Sequence, residues 1–315
     1  MNRRDAMLAL GLTGTTAMAE ADTTVATGTI KQSICAWCFQ SRGEAWSLEK
    51  LCEVAKSLGV QSVELLEAKQ FATLRKHGLA CAITSNGMGF ARGFNNPAHR
   101  AELVAKTRAA IEATAEAKFP SVIGFVGMKW LKPDDPKSGE ISRDDAFRHC
   151  VAGIKEVAGA AERAGVTLCI EHLNTRDGSD PMTGHPGYQG DDLDFVVRIL
   201  QAVGSSHVKL LFDVYHVQIM HGDLIRRIGE CRDWIAHIHT AGNPGRHELD
   251  ESQEINYPAV MKALLAIGYR GYVGHEFIPT RDPLAGLTQA VKLCDVAPAE
   301  GRGQTGPARR EGRPR

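Results

Sequence analysis

The chain alternates between short apolar runs and longer segments in which apolar residues recur every three or four positions. Runs of the first kind are typical of strands buried on both faces of a parallel sheet, and segments of the second kind are typical of amphipathic helices. Eight strand-then-helix units can be counted between residues 29 and 296. Their apolar runs are TIKQSICAWCF (29–39), VQSVELLE (60–67), LACAITSN (79–86), SVIGFVGM (121–128), VTLCIEHLN (166–174), VKLLFDVYH (208–216), WIAHIHTAG (234–242) and GYVGHEFIP (271–279).

This alternation predicts parallel strands joined by right-handed crossovers, and eight repeats predict closure into a barrel. We therefore predict an α/β fold, a (β/α)8 TIM barrel, as a single domain over residues 29–296. An open doubly wound sheet is the alternative, but no strand is followed by the G-x-G-x-x-G turn that would favour it. With 315 residues, of which 43% are hydrophobic, the chain is long enough for one such core.

The two ends lack this pattern. Residues 1–19 contain, in this order, two adjacent arginines, an apolar stretch rich in alanine and glycine, and an Ala-Met-Ala sequence. The same three features follow one another in a twin-arginine export signal, and we predict such a signal here. A linker would extend to about residue 25, and the mature protein would be periplasmic, or cytoplasmic if the signal does not function. Residues 297–315 are rich in Gly, Pro and Arg and are predicted to form a disordered basic tail. No other apolar run is long enough for a membrane span, so we expect no membrane association after signal removal.

Charge and cysteine content narrow the classes of function. Lysine plus arginine and aspartate plus glutamate both number 37, which leaves no overall basic character for binding nucleic acid. The 8 cysteines are expected to be mostly buried free thiols, because a chain of this length does not need disulfides for stability. Cys35 and Cys38 form a C-x-x-C that could be a redox pair or half of a zinc site. No second C-x-x-C exists, and this one falls in a predicted strand rather than at a helix start.

Ionisable residues stand at the ends of the last four predicted strands: Glu171, Asp213, His239 and Glu276. In a barrel the C-terminal ends of the strands meet at the mouth, where active sites lie. Three carboxylates in a partly desolvated mouth would repel one another unless a cation neutralised them. We therefore predict one divalent ion held by these four residues. Carboxylate and imidazole ligands favour Mn²⁺, with Mg²⁺, Co²⁺ or Zn²⁺ as alternatives.

Further polar and aromatic residues fall beside the predicted mouth. They stand just beyond strand ends, in a Gly/Pro loop, and in the long polar loop of residues 174–191, which is typical of a segment that folds over a site. For each, a place in the core or on a solvated loop is the alternative. The candidates for contacting a substrate are Trp37, Lys129, Asn174, His185, His216 and Arg246.

From about Lys31 to Val296 the chain resembles the xylose isomerase-like TIM barrels and, within them, the hydroxypyruvate isomerases. The segments that carry the resemblance are IEHLNTRD (170–177), LLFDVYHVQ (210–218), HTAGNPGRHELDESQEINYP (239–258) and GHEFIPT (274–280). The resemblance implies one divalent metal bound by the four strand-end residues. It also implies that Glu171 and Glu276 act as the acid/base pair and that His216 and Arg246 contact substrate oxygens.

The chain departs from that pattern in two ways. Hydroxypyruvate isomerases typically have glutamine where this chain has His239, which is more similar to the ketose 3-epimerase branch. They are also not usually exported, so an unphosphorylated sugar or a sugar-derived keto compound is as well supported a substrate as hydroxypyruvate.

The prediction for function is a metal-dependent isomerase or epimerase of a small hydroxy-carbonyl compound or sugar. A metal ion that polarises a carbonyl and its neighbouring hydroxyl lowers the energy of an enediolate, and two carboxylates can then move the proton. A metal-dependent hydrolase or lyase is the alternative, but its apurinic endonuclease branch would require more histidine ligands and a basic surface. A non-catalytic carbohydrate-binding or partner protein is a third hypothesis, against which the pair of glutamates argues. The sequence leaves the oligomeric state open, and a homodimer is compatible with it.

Overall fold

A curled parallel sheet forms the centre of the computed structural model, which describes residues 29–42 and 44–297. The strands of this sheet are β1 (Lys31–Cys35), β2 (Ser62–Glu64), β3 (Ser121–Phe125), β6 (Thr167–Glu171), β7 (Val208–Asp213), β8 (Ile235–Thr240) and β9 (Tyr272–His275). These seven strands lie side by side in the order β2-β1-β9-β8-β7-β6-β3. A separate antiparallel hairpin consists of β4 (Trp130–Lys132) and β5 (Asp135–Glu140).

Residues 80–84 close the gap between the two end strands of the sheet. Single parallel bridges join Ala80 to β2 and Thr84 to β3. The pairing is interrupted where the backbone N–H of Ala82 donates to the side-chain hydroxyl of Ser62 in β2, at 2.8 Å, instead of to a backbone carbonyl. The segment therefore occupies the third strand position, and the predicted (β/α)8 barrel is confirmed.

Helices follow the strands around the outside of the barrel. They are α1 (Ala36–Gln40), α2 (Leu48–Ser57), α3 (Phe71–Lys76), α4 (Arg100–Glu116), α5 (Arg143–Ala164), α6 (Leu193–Val203), α7 (Val214–Met220), α8 (Leu224–Glu230), α9 (Tyr257–Ala266) and α10 (Pro283–Cys294). Local caps set several boundaries: the Ser142 hydroxyl accepts from the Asp145 N–H where α5 begins, and Gly165 adopts the left-handed conformation where it ends. Within the described residues, no helix has the length and apolar character needed to cross a membrane.

One local prediction was wrong, and one element was not predicted. The first predicted strand ends at Cys35, and α1 begins at the next residue, so the C-x-x-C lies at a helix start and not within a strand. The hairpin was not predicted because its polar sequence DPKSGE has no apolar alternation that would indicate a strand. The prediction of buried free thiols is confirmed for all 8 cysteines. The proposed export signal and almost all of the basic tail lie outside the described residues.

A small apolar layer fills the barrel interior and leads up to the mouth. Ile83, Ile123, Cys169 and Leu211 form a buried cluster, separate from the larger core between the sheet and the helices. Side chains alternate between the two faces of a strand, so residues two positions further along point to the same side. The residues two positions beyond Cys169 and Leu211 are the acids that end β6 and β7, and the barrel therefore directs those acids inward.

Candidate active site

Four predicted ligand residues converge where the strands end. Asp213 and His239 are direct partners in the β7–β8 pairing. Glu276 follows β9, and its N–H donates to the Thr240 carbonyl at 2.9 Å, which extends the strand pairing by one step. Together with Glu171, these residues each offer one ligand atom, and all four atoms lie within 4.8 Å of one another. The structure thus brings together the complete set that the sequence indicated.

The ligand atoms of this set are buried but poorly paired. His239 Nδ1 lies 3.4 Å from Glu171 Oε1 and 2.9 Å from a Glu276 oxygen. Nevertheless, Glu171 Oε1, Asp213 Oδ2 and His239 Nδ1 have no partner in hydrogen-bonding geometry. Buried polar atoms without partners are costly, and each such atom in a native structure needs an explanation. A divalent cation fits this donor set, because it would accept all of these atoms at once.

The carboxylates of the set differ in their electrostatic environment. Burial raises the pKa of Glu171 to about 7 and the pKa of Asp213 to about 6. Burial would also raise the pKa of Glu276, but the positive charge of Arg246, together with His239 and the hydrogen bond from Trp37, outweighs burial and holds that pKa well below its usual range. In the absence of a metal ion, one glutamate therefore retains a proton readily while the other stays ionised.

Glu276 is held by two residues from other parts of the barrel. The Trp37 indole N–H donates to Glu276 Oε1 at 2.8 Å, and the Arg246 guanidinium donates to Glu276 Oε2. Arg246 is buried, approaches Asp213 Oδ2 to 3.6 Å, and also donates to the Met182 carbonyl at 2.6 Å. Both residues were expected to contact a substrate directly, and in the structure each of them orients a carboxylate.

Asn174 and His216 form a buried pair beside the ligand set. The Asn174 side-chain amide donates to His216 Nδ1 at 2.7 Å and to the Thr183 carbonyl at 2.8 Å. Because Nδ1 accepts, a neutral His216 must carry its proton on Nε2. That nitrogen lies 3.6 Å from Asp213 Oδ2. Burial, together with the charge of Arg246, holds the pKa of His216 well below its usual range, which favours this neutral form.

A cavity of about 210 Å³ opens beside the two glutamates. His185, from the long loop after β6, lines it, and its ring lies against Phe90 at a centroid distance of 4.1 Å with the two ring planes tilted by 40°. The remaining lining is mostly apolar, and it includes Trp37, Leu65, Ile123, Phe125 and Leu173. Lys129 does not line this cavity: its ammonium pairs with Glu140 of the hairpin at 2.6 Å and faces a different hollow. The hairpin that redirects Lys129 was not visible in the sequence.

Two buried residues beside the site, Glu64 and His237, were not predicted from the sequence as site residues. Glu64, at the end of β2, accepts from the Nε2 atoms of His239 and His237 at 2.9 and 3.0 Å. His237 had been expected only to lie beneath His239 as a core histidine, and it does lie buried there. Glu64 could have been found by the rule that selected the other acids, because it also ends a strand run. It was overlooked because β2 is the second strand of the chain, whereas the predicted ligand residues all end the last four predicted strands.

Comparisons with known proteins agree with this architecture. A family model described as xylose isomerase-like TIM barrel matches residues 52–295. The chain is 39% identical over 180 residues to the 2-oxo-tetronate isomerase of Cupriavidus necator, which covers 55% of this chain and 66% of that protein. It is 30% identical over 137 residues to the hydroxypyruvate isomerase of Escherichia coli, which covers 44% of this chain and 50% of that protein.

These two alignments span between half and two thirds of the length of each relative. A solved structure, described as AP endonuclease, family 2, from Brucella melitensis, superimposes on 84% of this chain and 99% of its own. Its TM-score is 0.71 at 24% sequence identity, which shows a common fold. The family model covers most of the barrel, and the chain belongs to the xylose isomerase-like TIM barrel family.

Proposed function

We propose that this protein is a divalent-metal-dependent isomerase that moves a proton between adjacent carbons of a small hydroxy-carbonyl compound. The proposal rests on one observation: three buried ligand atoms without hydrogen-bond partners lie together beside a cavity that Glu171 and Glu276 line. The isomerase relatives support the same class of reaction. Glu171, Asp213, His239 and Glu276 would hold the ion, for which Mn²⁺ is the best match to the donor set.

Glu171 and Glu276 would divide the proton transfer between them. A bound divalent ion would polarise a substrate carbonyl and its neighbouring hydroxyl, so that the C–H bond between them loses its proton more easily. One glutamate accepts that proton, and a proton then returns to the adjacent carbon while the hydroxyl proton passes to the former carbonyl oxygen. Trp37 and Arg246 fix both oxygens of Glu276, which leaves Glu171 as the freer of the two carboxylates. We therefore assign to Glu171 the removal of the carbon-bound proton.

The charges around the cavity favour an unphosphorylated substrate. Among the described residues that line it, Arg246 alone carries a permanent positive charge, and it is already paired with Glu276. A phosphate group would thus face two carboxylates with no unpaired lysine or arginine side chain beside it, and the metal ion would be its one source of positive charge. A neutral keto sugar or a compound with a single carboxylate avoids this cost. Hydroxypyruvate and 2-oxo-tetronate, which the names of the relatives imply as substrates, are the first compounds to test.

Epimerisation at a carbon next to a ketone is the second candidate. It uses the same proton removal, but the proton returns to the opposite face of the same carbon. His239 supports this candidate, because the sequence resembles the ketose 3-epimerase branch at that position. The two glutamates line the same cavity, an arrangement compatible with either outcome.

The test is solvent deuterium incorporation. Metal-free protein, reloaded with Mn²⁺, would be incubated in D₂O with hydroxypyruvate, 2-oxo-tetronate and a panel of unphosphorylated ketoses, and the products followed by NMR. We expect deuterium at a carbon next to the carbonyl of at least one compound. We also expect Glu171→Gln and Glu276→Gln to slow this exchange about 100-fold or more, since general acid–base groups contribute at least that factor.

Lys129→Met is the matched control. It removes a charged residue close to the mouth that does not line the cavity, and it should leave the exchange rate unchanged. Exchange without net isomerisation, but with inversion at one carbon, would favour the epimerase. Metal binding without exchange on any compound would contradict the proposed isomerase and favour a hydrolase or lyase.

A further inference from the structure

We propose that Glu64 is a positioning residue that selects the metal-binding tautomer of His239 and fixes the direction of its ring. This inference rests on the proposed function only in that it assigns His239 as a ligand. Glu64 touches neither the cavity nor the ligand atoms of the carboxylates. It would act entirely through the far side of the imidazole.

The two nitrogens of His239 face different surroundings. Nδ1 points toward the Glu171 and Glu276 carboxylates, at 3.4 and 2.9 Å. Nε2 points away from them, toward Glu64 Oε1 at 2.9 Å. An ionised carboxylate can only accept, so Nε2 must carry a proton to make this bond. A neutral ring with a proton on Nε2 has its lone pair on Nδ1, which is the nitrogen that faces the other ligands.

Glu64 is itself held in place from two sides. His237 Nε2 lies 3.0 Å from the same oxygen, and the Cys35 thiol donates to it at 3.2 Å. The β1–β2 pairing sets Cys35 directly opposite Glu64. All of these residues are fully buried, and His237 meets His239 at a ring centroid distance of 5.0 Å with perpendicular planes. A ring packed and bonded in this way has little freedom to rotate.

The backbone also leaves room for this pair. Gly274 lies opposite His239 in the β8–β9 pairing. A Cβ atom at Gly274 would come within 2.1 Å of Glu64 Oε1 and 3.0 Å of the His239 ring. Any other residue at this position would therefore push the carboxylate away from the imidazole.

A purely structural role is the competing explanation, because buried charged networks also stabilise a core. The two explanations predict different results for metal affinity and for the tautomer. Outer partners of metal-binding histidines typically change affinity 10- to 100-fold when they are lost. A structural role would lower the unfolding midpoint of the metal-free protein and leave the affinity of the folded molecules unchanged.

The experiment measures the Mn²⁺ dissociation constant by competition with a chelator, for the full-length protein and for Glu64→Gln. Unfolding in EDTA verifies that the variant is folded. We expect the dissociation constant to rise at least tenfold, because the neutral amide no longer attracts the Nε2 proton as a carboxylate does. His237→Gln should weaken binding by a smaller factor, since it loosens Glu64 without removing it.

Ser33→Ala is the matched control. It removes a buried hydrogen bond to Ser62, 2.8 Å long, in the same strand pair but one layer deeper in the barrel. Its metal affinity should equal that of the unchanged protein. Long-range ¹H–¹⁵N spectra of the Mg²⁺-loaded protein provide the second measurement, with His239 assigned by its loss in His239→Gln. We expect its proton on Nε2, and a shifted or exchange-broadened signal in Glu64→Gln.

Equal Mn²⁺ affinity in Glu64→Gln would overturn this inference alone. A proton on Nδ1 of His239 in the loaded protein would overturn it together with the assignment of His239 as a ligand. Absence of Mn²⁺ binding by the unchanged protein would overturn both this inference and the metal site of the proposed function. Tight binding that depends on Glu64, without any substrate exchange, would support the inference and contradict the isomerase proposal.

Discussion

Neutralising Glu171 should change how the stability of the metal-free protein depends on pH. Burial raises the pKa of this carboxyl from its usual 4.5 to about 7. Between these two values the folded protein keeps a proton that the unfolded chain has already released, so stability falls as the pH rises. An increase of about 2.5 in the pKa corresponds to about 3 kcal/mol in full, and most of this, about 2 to 3 kcal/mol, is lost between pH 5 and 8. Glu171→Gln cannot release a proton and should not show this loss.

The assay is urea unfolding in EDTA at pH 5, 6, 7 and 8 for both proteins. Other groups titrate in this range as well, so the informative quantity is the difference in unfolding free energy between the two proteins. We expect Glu171→Gln to gain about 2 to 3 kcal/mol relative to the unchanged protein as the pH rises from 5 to 8. Asp213→Asn is a useful comparison, because burial raises the pKa of Asp213 from 3.8 to about 6 and its effect should fall in a lower pH window.

Saturating Mn²⁺ should abolish the effect of Glu171, since a bound cation stabilises the ionised carboxylate and displaces the proton. Two results would refute the reasoning. Parallel pH profiles of the two metal-free proteins would show that Glu171 is ionised at neutral pH despite its burial. A difference that persists unchanged in Mn²⁺ would show that Glu171 does not take part in metal binding.

Three further predictions concern the support of the site and its thiols. Trp37→Phe keeps an aromatic ring but removes the 2.8 Å hydrogen bond to Glu276, so turnover should fall about tenfold or more; an unchanged kcat would contradict this role. Gly274→Ala should lower the unfolding free energy by about 1 to 3 kcal/mol in urea titrations, because its Cβ would overlap Glu64, and an unchanged midpoint would show that the carboxylate can move aside at no cost. A thiol reagent should leave the folded protein unlabelled and react with all 8 cysteines in denaturant; labelling of the native protein would contradict the burial of these thiols.

The acids at the strand ends illustrate which part of the site the sequence could predict. Glu171 and Asp213 each follow an uninterrupted apolar run, and parallel strands in a barrel must bring their C-terminal ends together. Convergence therefore follows from the strand count and the strand direction, without any knowledge of loops or side-chain contacts. The long helices were predictable for a similar reason: α5 has the boundaries, Arg143–Ala164, that its periodicity and its Ser and Gly caps indicate.

Residues whose neighbours come from distant segments were beyond such reasoning. Lys129 follows a strand end as closely as the acids do, but the hairpin after it turns its ammonium toward Glu140 and away from the cavity. Trp37 and Arg246 were expected to touch a substrate. Their contacts with Glu276 join residues that are 239 and 30 positions apart in the chain and that come together only at the mouth.

The sequence by itself thus determined the barrel and the convergence of four ionisable strand-end residues, because both follow from local periodicity and from the direction of parallel strands. The tertiary structure decided the surroundings of each side chain: which carboxylate Arg246 keeps ionised, which nitrogen of His239 faces the ligand set, and what lies behind that ring. The physical reason is that burial and hydrogen bonding depend on contacts between residues far apart in the chain. Glu64 and His239 are 175 positions apart, and they meet only because their strands close the same barrel.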